Sequence, residues 1–144
     1  MHILATVVAL AVIPSCGGLF GVFGKKQRVV VKGEVECHGK PAENVRLVLY
    51  VKNWLYQSNM DKYLTNKTGT FVLNGTRRSI WTLDPRVRIY HECHRSNATK
   101  CSLRKTSLIV PHENVALQGK VEEVSFDYGK IPLDSALLNT ICDH

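Results

Sequence analysis

The sequence predicts an all-β sandwich, and three observations carry that reading. Apolar and polar residues alternate with a period of two along most of the chain after residue 25. Clusters of Gly, Pro and Asn interrupt the alternation at short intervals. No stretch has the long 3.6-residue periodicity of an amphipathic helix, so seven to eight short antiparallel strands in two layers are expected. The 144 residues suffice for one domain and not two. No internal repeat, low-complexity segment or heptad pattern breaks that picture.

Taken in order, "RVVVKGEVECHG" puts Val29, Val31, Val35 and Cys37 on one face, with Gly33 among them, and Lys32, Glu34 and Glu36 on the other. "HGKPAEN" supplies a turn through Gly39 and Pro41. "NVRLVLYVK" places Val45, Leu47, Leu49 and Val51 on one side and Arg46 and Lys52 on the other. These two strands pair as a hairpin or lie on facing sheets. "NWLYQSNMDKYLTNKTG" is polar and irregular and is read as a long loop with room for one helical turn. "TFVLNGT" reads as a short strand closed by Asn74-Gly75, "RVRIYHEC" alternates again, and "SLRKTSLIVP" is a strand ended by Pro111. "PHENVALQGK" has room for a helical turn, "VEEVSFDYGKIPL" alternates through Val124, Phe126 and Tyr128, and "DSALLNTICDH" shows no pattern.

The compartment follows from the chain ends. Ile3 to Ile13 form an apolar run of eleven residues, too short to span a bilayer and matched to the core of a secretory signal. Small residues follow at Ser15, Cys16, Gly17 and Gly18. Residues 1–18 are therefore read as a signal peptide, cleaved somewhere in 16–24, with the domain proper at 25–144. A lipobox reading of "IPSCGG", with Cys16 lipidated, fits Pro14 poorly. No other stretch is apolar for long enough to cross a membrane. The expected localisation is secreted and extracellular. The sequons at Asn66, Asn74 and Asn97 are then candidate N-glycosylation sites in surface loops. The formal charge of +7 favours anionic extracellular partners such as glycans, acidic phospholipid headgroups or acidic proteins. In that compartment nucleic acid is not an expected partner.

"IYHECHRSNATKC", residues 89–101, packs His91, Cys93, His94 and Cys101 together and resembles a metal site. The spacing is neither that of a zinc finger nor the His-Glu-x-x-His of a metalloprotease. On a strand, His91 and Cys93 point one way while Glu92 and His94 point the other. His91 is expected as a hydrogen-bonded core residue and His94 as a solvent-facing one; no metal or other cofactor is expected. Four cysteines behind a signal predict two disulfides. Cys93–Cys101 would close the polar loop "HRSNATK", leaving Cys37–Cys142, while Cys37–Cys93 across the core stays open because both cysteines lie on inward faces. Disulfides leave no free nucleophilic thiol, and neither a Gly-x-Ser-x-Gly elbow nor a Gly-rich phosphate loop occurs, so no enzyme is expected.

The basic residues are the remaining signal. Arg86 and Arg88 share a face with Tyr90, Arg77 and Arg78 lie just upstream, and Arg104 and Lys105 fall on the expected partner strand. Together they form a candidate anionic-ligand face. Trp54, Leu55 and Tyr56 are a candidate apolar contact patch in the long loop.

"QRVVVKGEVECHGKPAENVRLVLY", "TGTFVLNG", "PRVRIYHEC", "CSLRKTSLIVP" and "FDYGKIPL" occur in this order. The set resembles the nematode transthyretin-like family from about Gly18 to Leu133. The resemblance implies a secreted prealbumin-like sandwich of two antiparallel sheets. One departure is visible: the loop before "G-x-F" is commonly acidic in the family and here reads "TNKTGTF", with Asn66 and Thr68 at the acidic positions. Enzyme relatives that hydrolyse hydroxyisourate end in Tyr-Arg-Gly-Ser, whereas this chain ends "ICDH". The expected function is a secreted binding or adaptor module for an anionic or amphipathic ligand, such as an acidic lipid headgroup, a sulfated glycan or a cell-surface protein. The alternative is a carrier of a small apolar ligand.

Overall fold

The computed structural model describes residues 24–53, 55–94, 103–111, 115–118 and 121–142. The segment read as a signal peptide lies outside them. Among the described residues, ten strands build two sheets: β1 (Lys25–Cys37), β2 (Lys40–Pro41), β3 (Arg46–Lys52), β4 (Gln57–Leu64), β5 (Thr70–Ser79), β6 (Pro85–His91), β7 (Arg104–Ile109), β8 (Val115–Gln118), β9 (Val121–Pro132) and β10 (Thr140–Cys142). One sheet runs β2-β1-β9-β8 with β5 also paired to β1; the other runs β10-β7-β6-β3-β4. The expected all-β sandwich is thus observed, with one parallel pairing, β1 with β9, among the antiparallel ones. No helix among the described residues is long and apolar enough to cross a membrane.

The alternation read from the sequence sets the core. Val29, Val31 and Val35 of β1, Leu47, Leu49 and Val51 of β3, Phe71 and Leu73 of β5, and Val87 and Ile89 of β6 all face inward and are buried. Val124, Phe126 and Tyr128 of β9 pack against them. Tyr128 also crosses between the sheets, donating its hydroxyl to the Ile109 carbonyl at 2.7 Å.

Four local expectations are corrected. The polar stretch after Trp54 is not a loop: Gln57–Leu64 is an edge strand paired with β3, and none of its residues is fully buried. Its ladder hydrogen bonds define it, which explains why hydropathy missed it. Gly75 does not end β5, since the strand continues to Ser79. A Cβ at Gly75 would lie 2.6 Å from the Met60 Cβ, so the glycine makes room for β4 to cross over it. The expected helical turn after Pro111 is absent at Val115–Gln118, which pairs with β9. The unpatterned tail contains β10, paired with β7.

The disulfide expectation is corrected too. Cys37 is bonded to Cys93, with Cα atoms 5.8 Å apart, so neither Cys93–Cys101 nor Cys37–Cys142 is formed. Cys37 ends β1 and Cys93 lies two residues past the end of β6, both on the inward faces of opposite sheets at one rim of the sandwich. Period-two patterning places them face to face there, and that outweighs proximity along the chain. With a sequence separation of 56, the link is worth about 4 kcal/mol in the chain-entropy model. Cys142 is also disulfide-bonded; Cys101 lies outside the described residues.

His91 stands beside this bridge and is only 3% exposed. Its Nδ1 accepts the Cys93 backbone N–H at 3.1 Å. Nε2 must then carry the proton and face the Thr106 hydroxyl at 2.9 Å, which in turn meets the Thr140 hydroxyl at 2.7 Å. The expected core histidine is therefore observed, joining β6, β7 and β10. Burial, with added repulsion from Arg104 and His94, lowers its pKa from the usual 6.5 to about 4. Between those values the unfolded chain takes up a proton that the folded one refuses. Stability from this group is complete above about pH 6.5 and falls as the pH drops toward 4, by about 3 kcal/mol in all. Urea melts from pH 7 to 4 should show that loss in the wild type. His91→Gln should be less stable at pH 7 and should lack this component in the difference between the two curves. Parallel curves would rule out a buried neutral His91.

Candidate functional site

The site follows from the pairing of β3 with β6. Inward Leu47, Leu49, Val87 and Ile89 force Arg46, Val48, Tyr50, Arg86, Arg88 and Tyr90 onto the outer face of the second sheet. The register sets Arg46 opposite Tyr90, Val48 opposite Arg88 and Tyr50 opposite Arg86. One directly opposed pair and one diagonal pair then stack. The Arg46 guanidinium lies 4.5 Å from the centre of the Tyr90 ring, and that of Arg88 lies 4.0 Å from the centre of Tyr50. Each such contact is worth about 0.5–2 kcal/mol, more where water is excluded.

The stacking has a visible consequence. Tyr50 and Val48 point toward solvent yet are only 5% exposed each. The Arg88 side chain lies over the Tyr50 ring, as long basic side chains do when they bury their stems and keep their heads wet. Arg88 is further fixed by donating Nη2 to the Gln57 side-chain oxygen at 2.7 Å and Nη1 to the Tyr90 hydroxyl at 3.5 Å. Lys105, opposite Tyr90, extends the face onto β7.

Negative charge is scarce here. Asp61 is the acid within the five strands of this sheet, and its carboxylate accepts the Asn74 backbone N–H of β5 at 2.8 Å. Asp84, just before β6, pairs with Arg86 at 3.2 Å, and Glu92 lies just beyond its other end. Among the described residues, neither Arg46 nor Arg88 pairs with a carboxylate. The buried Arg86 Nε has no hydrogen-bond partner among them either.

The candidate face read from the sequence is therefore divided. Arg86, Arg88, Tyr90 and Lys105 do share one surface. Arg104 does not: it sits opposite His91, on the inward register, and its Nε and Nη2 lie 3.2 and 2.9 Å from Nδ1 of the exposed His94. Arg77 and Arg78 belong to the other sheet, with Arg77 donating to the Asn59 carbonyl at 3.4 Å and Arg78 to the Gly24 carbonyl at 3.3 Å. They line a separate cleft at one end of the sandwich. Arg46 and Tyr50 were missed, although the alternation of "NVRLVLYVK" already placed Arg46 outward; the β3–β6 register was the lacking piece.

Within the metal-like stretch, His91 and Cys93 are engaged by the scaffold, and residues 95–101 lie outside the described residues. Cys37, His38 and Cys93 bring potential ligand atoms within 4.8 Å of one another, but the two sulfurs are bonded to each other and are not thiolates. Asn66 occupies the β4–β5 turn, where its Oδ1 accepts the Thr68 N–H at 3.0 Å and the Thr68 hydroxyl at 2.6 Å. Asn66 and Thr68 thus hold that turn where the resemblance implied acids. Asn74 lies within β5, opposite Val30, with its side-chain oxygen on Arg28 Nε at 3.2 Å. Asn97 and Trp54 lie outside the described residues; Leu55 and Tyr56 are exposed.

A model described as the Transthyretin-like family matches residues 32–111. Transthyretin-like protein 46 of Caenorhabditis elegans is 31% identical over 113 residues, covering 77% of this chain and 62% of that relative. The chain therefore spans less than two thirds of that protein's length. Transthyretin-like protein 5 of the same nematode is 29% identical over 116 residues, covering 79% of this chain and 81% of its own. A solved 9R-lipoxygenase from Cyanothece aligns at a TM-score of 0.40 and 12% identity, over 90% of this chain and 18% of that one, too loose a match to support an argument. The relatives are named as transthyretin-like proteins rather than as enzymes. Such kinship supports a binding or carrier type of role, and together with the disulfide it points to an extracellular protein. The two-sheet architecture, the matched segment and these relatives agree, and the chain belongs to the transthyretin-like family.

Proposed function

We propose that the protein is a secreted binding or adaptor module that recognises an anionic extracellular ligand on the outer face of the β3–β6 sheet. One observation carries this reading: two guanidinium groups stacked on tyrosine rings, without carboxylate partners among the described residues. A stacked guanidinium has lost much of its side-chain freedom before any ligand arrives, so binding costs less ordering. Its in-plane N–H groups remain able to fork onto a carboxylate, sulfate or phosphate. The face is a sheet surface rather than a hole, which suits an extended polyanion or a headgroup layer. Nothing in the arrangement calls for a metal or an activated nucleophile.

Purified protein titrated onto a sulfated polysaccharide and onto acidic vesicles should bind at low salt and lose affinity steeply as salt rises. The combined Arg46→Gln and Arg88→Gln variant should bind about ten-fold or more weakly, while Lys40→Gln, on the other sheet, should not change. Binding indifferent to those arginines, or absent at low salt, would sink the reading.

The same secreted reading makes Asn66 the favoured glycan carrier among the described sequons. A glycan there extends from a turn and leaves both sheets intact, whereas Asn74 is held within a paired strand. Glycopeptide mapping of protein secreted from eukaryotic cells should show higher occupancy at Asn66 than at Asn74; the reverse order, or an unmodified Asn66, would contradict it.

A further inference from the structure

We infer that the cleft at one end of the sandwich is a second binding site, for a small amphipathic carboxylate such as a medium-chain fatty acid. The cleft lies between the β3–β4 connection and the segment joining β5 to β6, and its volume is about 310 Å³. That is at the lower end of the range for small-molecule sites. It is separate from the stacked-arginine face and does not depend on it.

The lining divides by chemistry. Buried Val51 and Leu83 contribute an apolar floor. Tyr56 and Trp81 contribute aromatic walls and are 55% and 69% exposed, high values for side chains of this size. Lys52, Arg77 and Arg78 contribute positive charge. The acid of the lining, Asp84, is taken up by Arg86 at 3.2 Å. Arg77 and Arg78 each spend one donor on a backbone carbonyl, out of the five that a guanidinium carries. An apolar cavity with surplus guanidinium donors at its edge matches a ligand with an apolar body and one anionic head.

The walls are held from within. Gln27 is only 7% exposed. Its amide nitrogen donates to the Trp81 and Ser79 carbonyls at 2.9 and 3.4 Å, and its oxygen accepts the Leu83 N–H at 3.0 Å. One buried amide therefore fixes residues 79–83 against β1. Across the cleft, the Asn53 side-chain oxygen accepts the Leu55 and Tyr56 N–H groups, both at 2.8 Å. Both sides are thus pre-shaped, which lowers the ordering cost of binding.

Calorimetric titration of the intact protein with decanoate, and with decanol as the neutral match, tests the assignment. Decanoate should bind saturably at one site, at least ten-fold more tightly than decanol. The combined Arg77→Gln and Arg78→Gln variant should reduce that preference at least ten-fold, and Arg46→Gln with Arg88→Gln should leave it unchanged. Trp81→Ala, at a mostly exposed position, should weaken both ligands and serves if the arginine variant does not fold. Equal affinity for decanol, insensitivity to both cleft variants, or no saturable binding would each overturn the assignment. The arms also separate this site from the sheet face, because loss of decanoate binding in Arg46→Gln with Arg88→Gln would place the ligand there instead.

Discussion

The register between β3 and β6 is the constraint on which the rest of the structure depends. Leu47 opposite Ile89 and Leu49 opposite Val87 form the inward layer of the second sheet. A slip of one residue would turn that layer to solvent and bring Arg46, Arg88 and Tyr90 into the core. Burial of apolar side chains, at roughly 1.5–3 kcal/mol each, therefore fixes the position of every charge on the opposite face. The cation–aromatic ladder is a by-product of that register, held by forces that have nothing to do with any ligand. The site is rigid because the core beneath it is rigid.

At the opposite rim the same alternation produces a staple. Cys37 ends β1, Cys93 lies two residues beyond the end of β6 in the opposed sheet, and the two meet across the interior. His91, two residues earlier on the inward face, fastens the Cys93 backbone and passes a hydrogen-bond chain through Thr106 to Thr140. His91 and Cys93, which look like metal ligands in one dimension, thus help to hold three strands and a disulfide together. Its dependence on a neutral imidazole ties it to pH, an effect internal to the fold.

How much could be read beforehand varied with the kind of force involved. The inward faces of β1, β3, β6 and β9 were legible because burial writes itself as a period of two. The edge strand β4 was not, since its ladder hydrogen bonds are made by the backbone and its side chains stay partly exposed. Gly75 looked like a turn residue because a local rule cannot know that Met60 crosses over it. Arg86, Arg88, Tyr90 and Lys105 were legible as one surface. Arg104, Arg77 and Arg78 were wrongly joined to it because strand order and sheet membership are non-local. Arg46 and Tyr50 entered the site only once β3 was known to lie beside β6. The disulfide pairing turned on the same information, as the inward parity of Cys37 and Cys93 was visible and the rim at which they meet was not.

The two proposed binding regions lie on different parts of one scaffold: a pre-stacked cationic sheet face and an apolar cleft edged with guanidinium groups. Both rest on side chains immobilised by packing or buried hydrogen bonds, and the described sequons lie on neither. The most direct test of the central assignment is to follow backbone and arginine side-chain NMR signals while titrating a short sulfated oligosaccharide at low salt. The account predicts that shifts concentrate on Arg46, Tyr50, Arg88, Tyr90 and Lys105. Shifts confined to the basic start of β1, at Lys25, Lys26 and Arg28, with the stacked arginines unmoved, would contradict it.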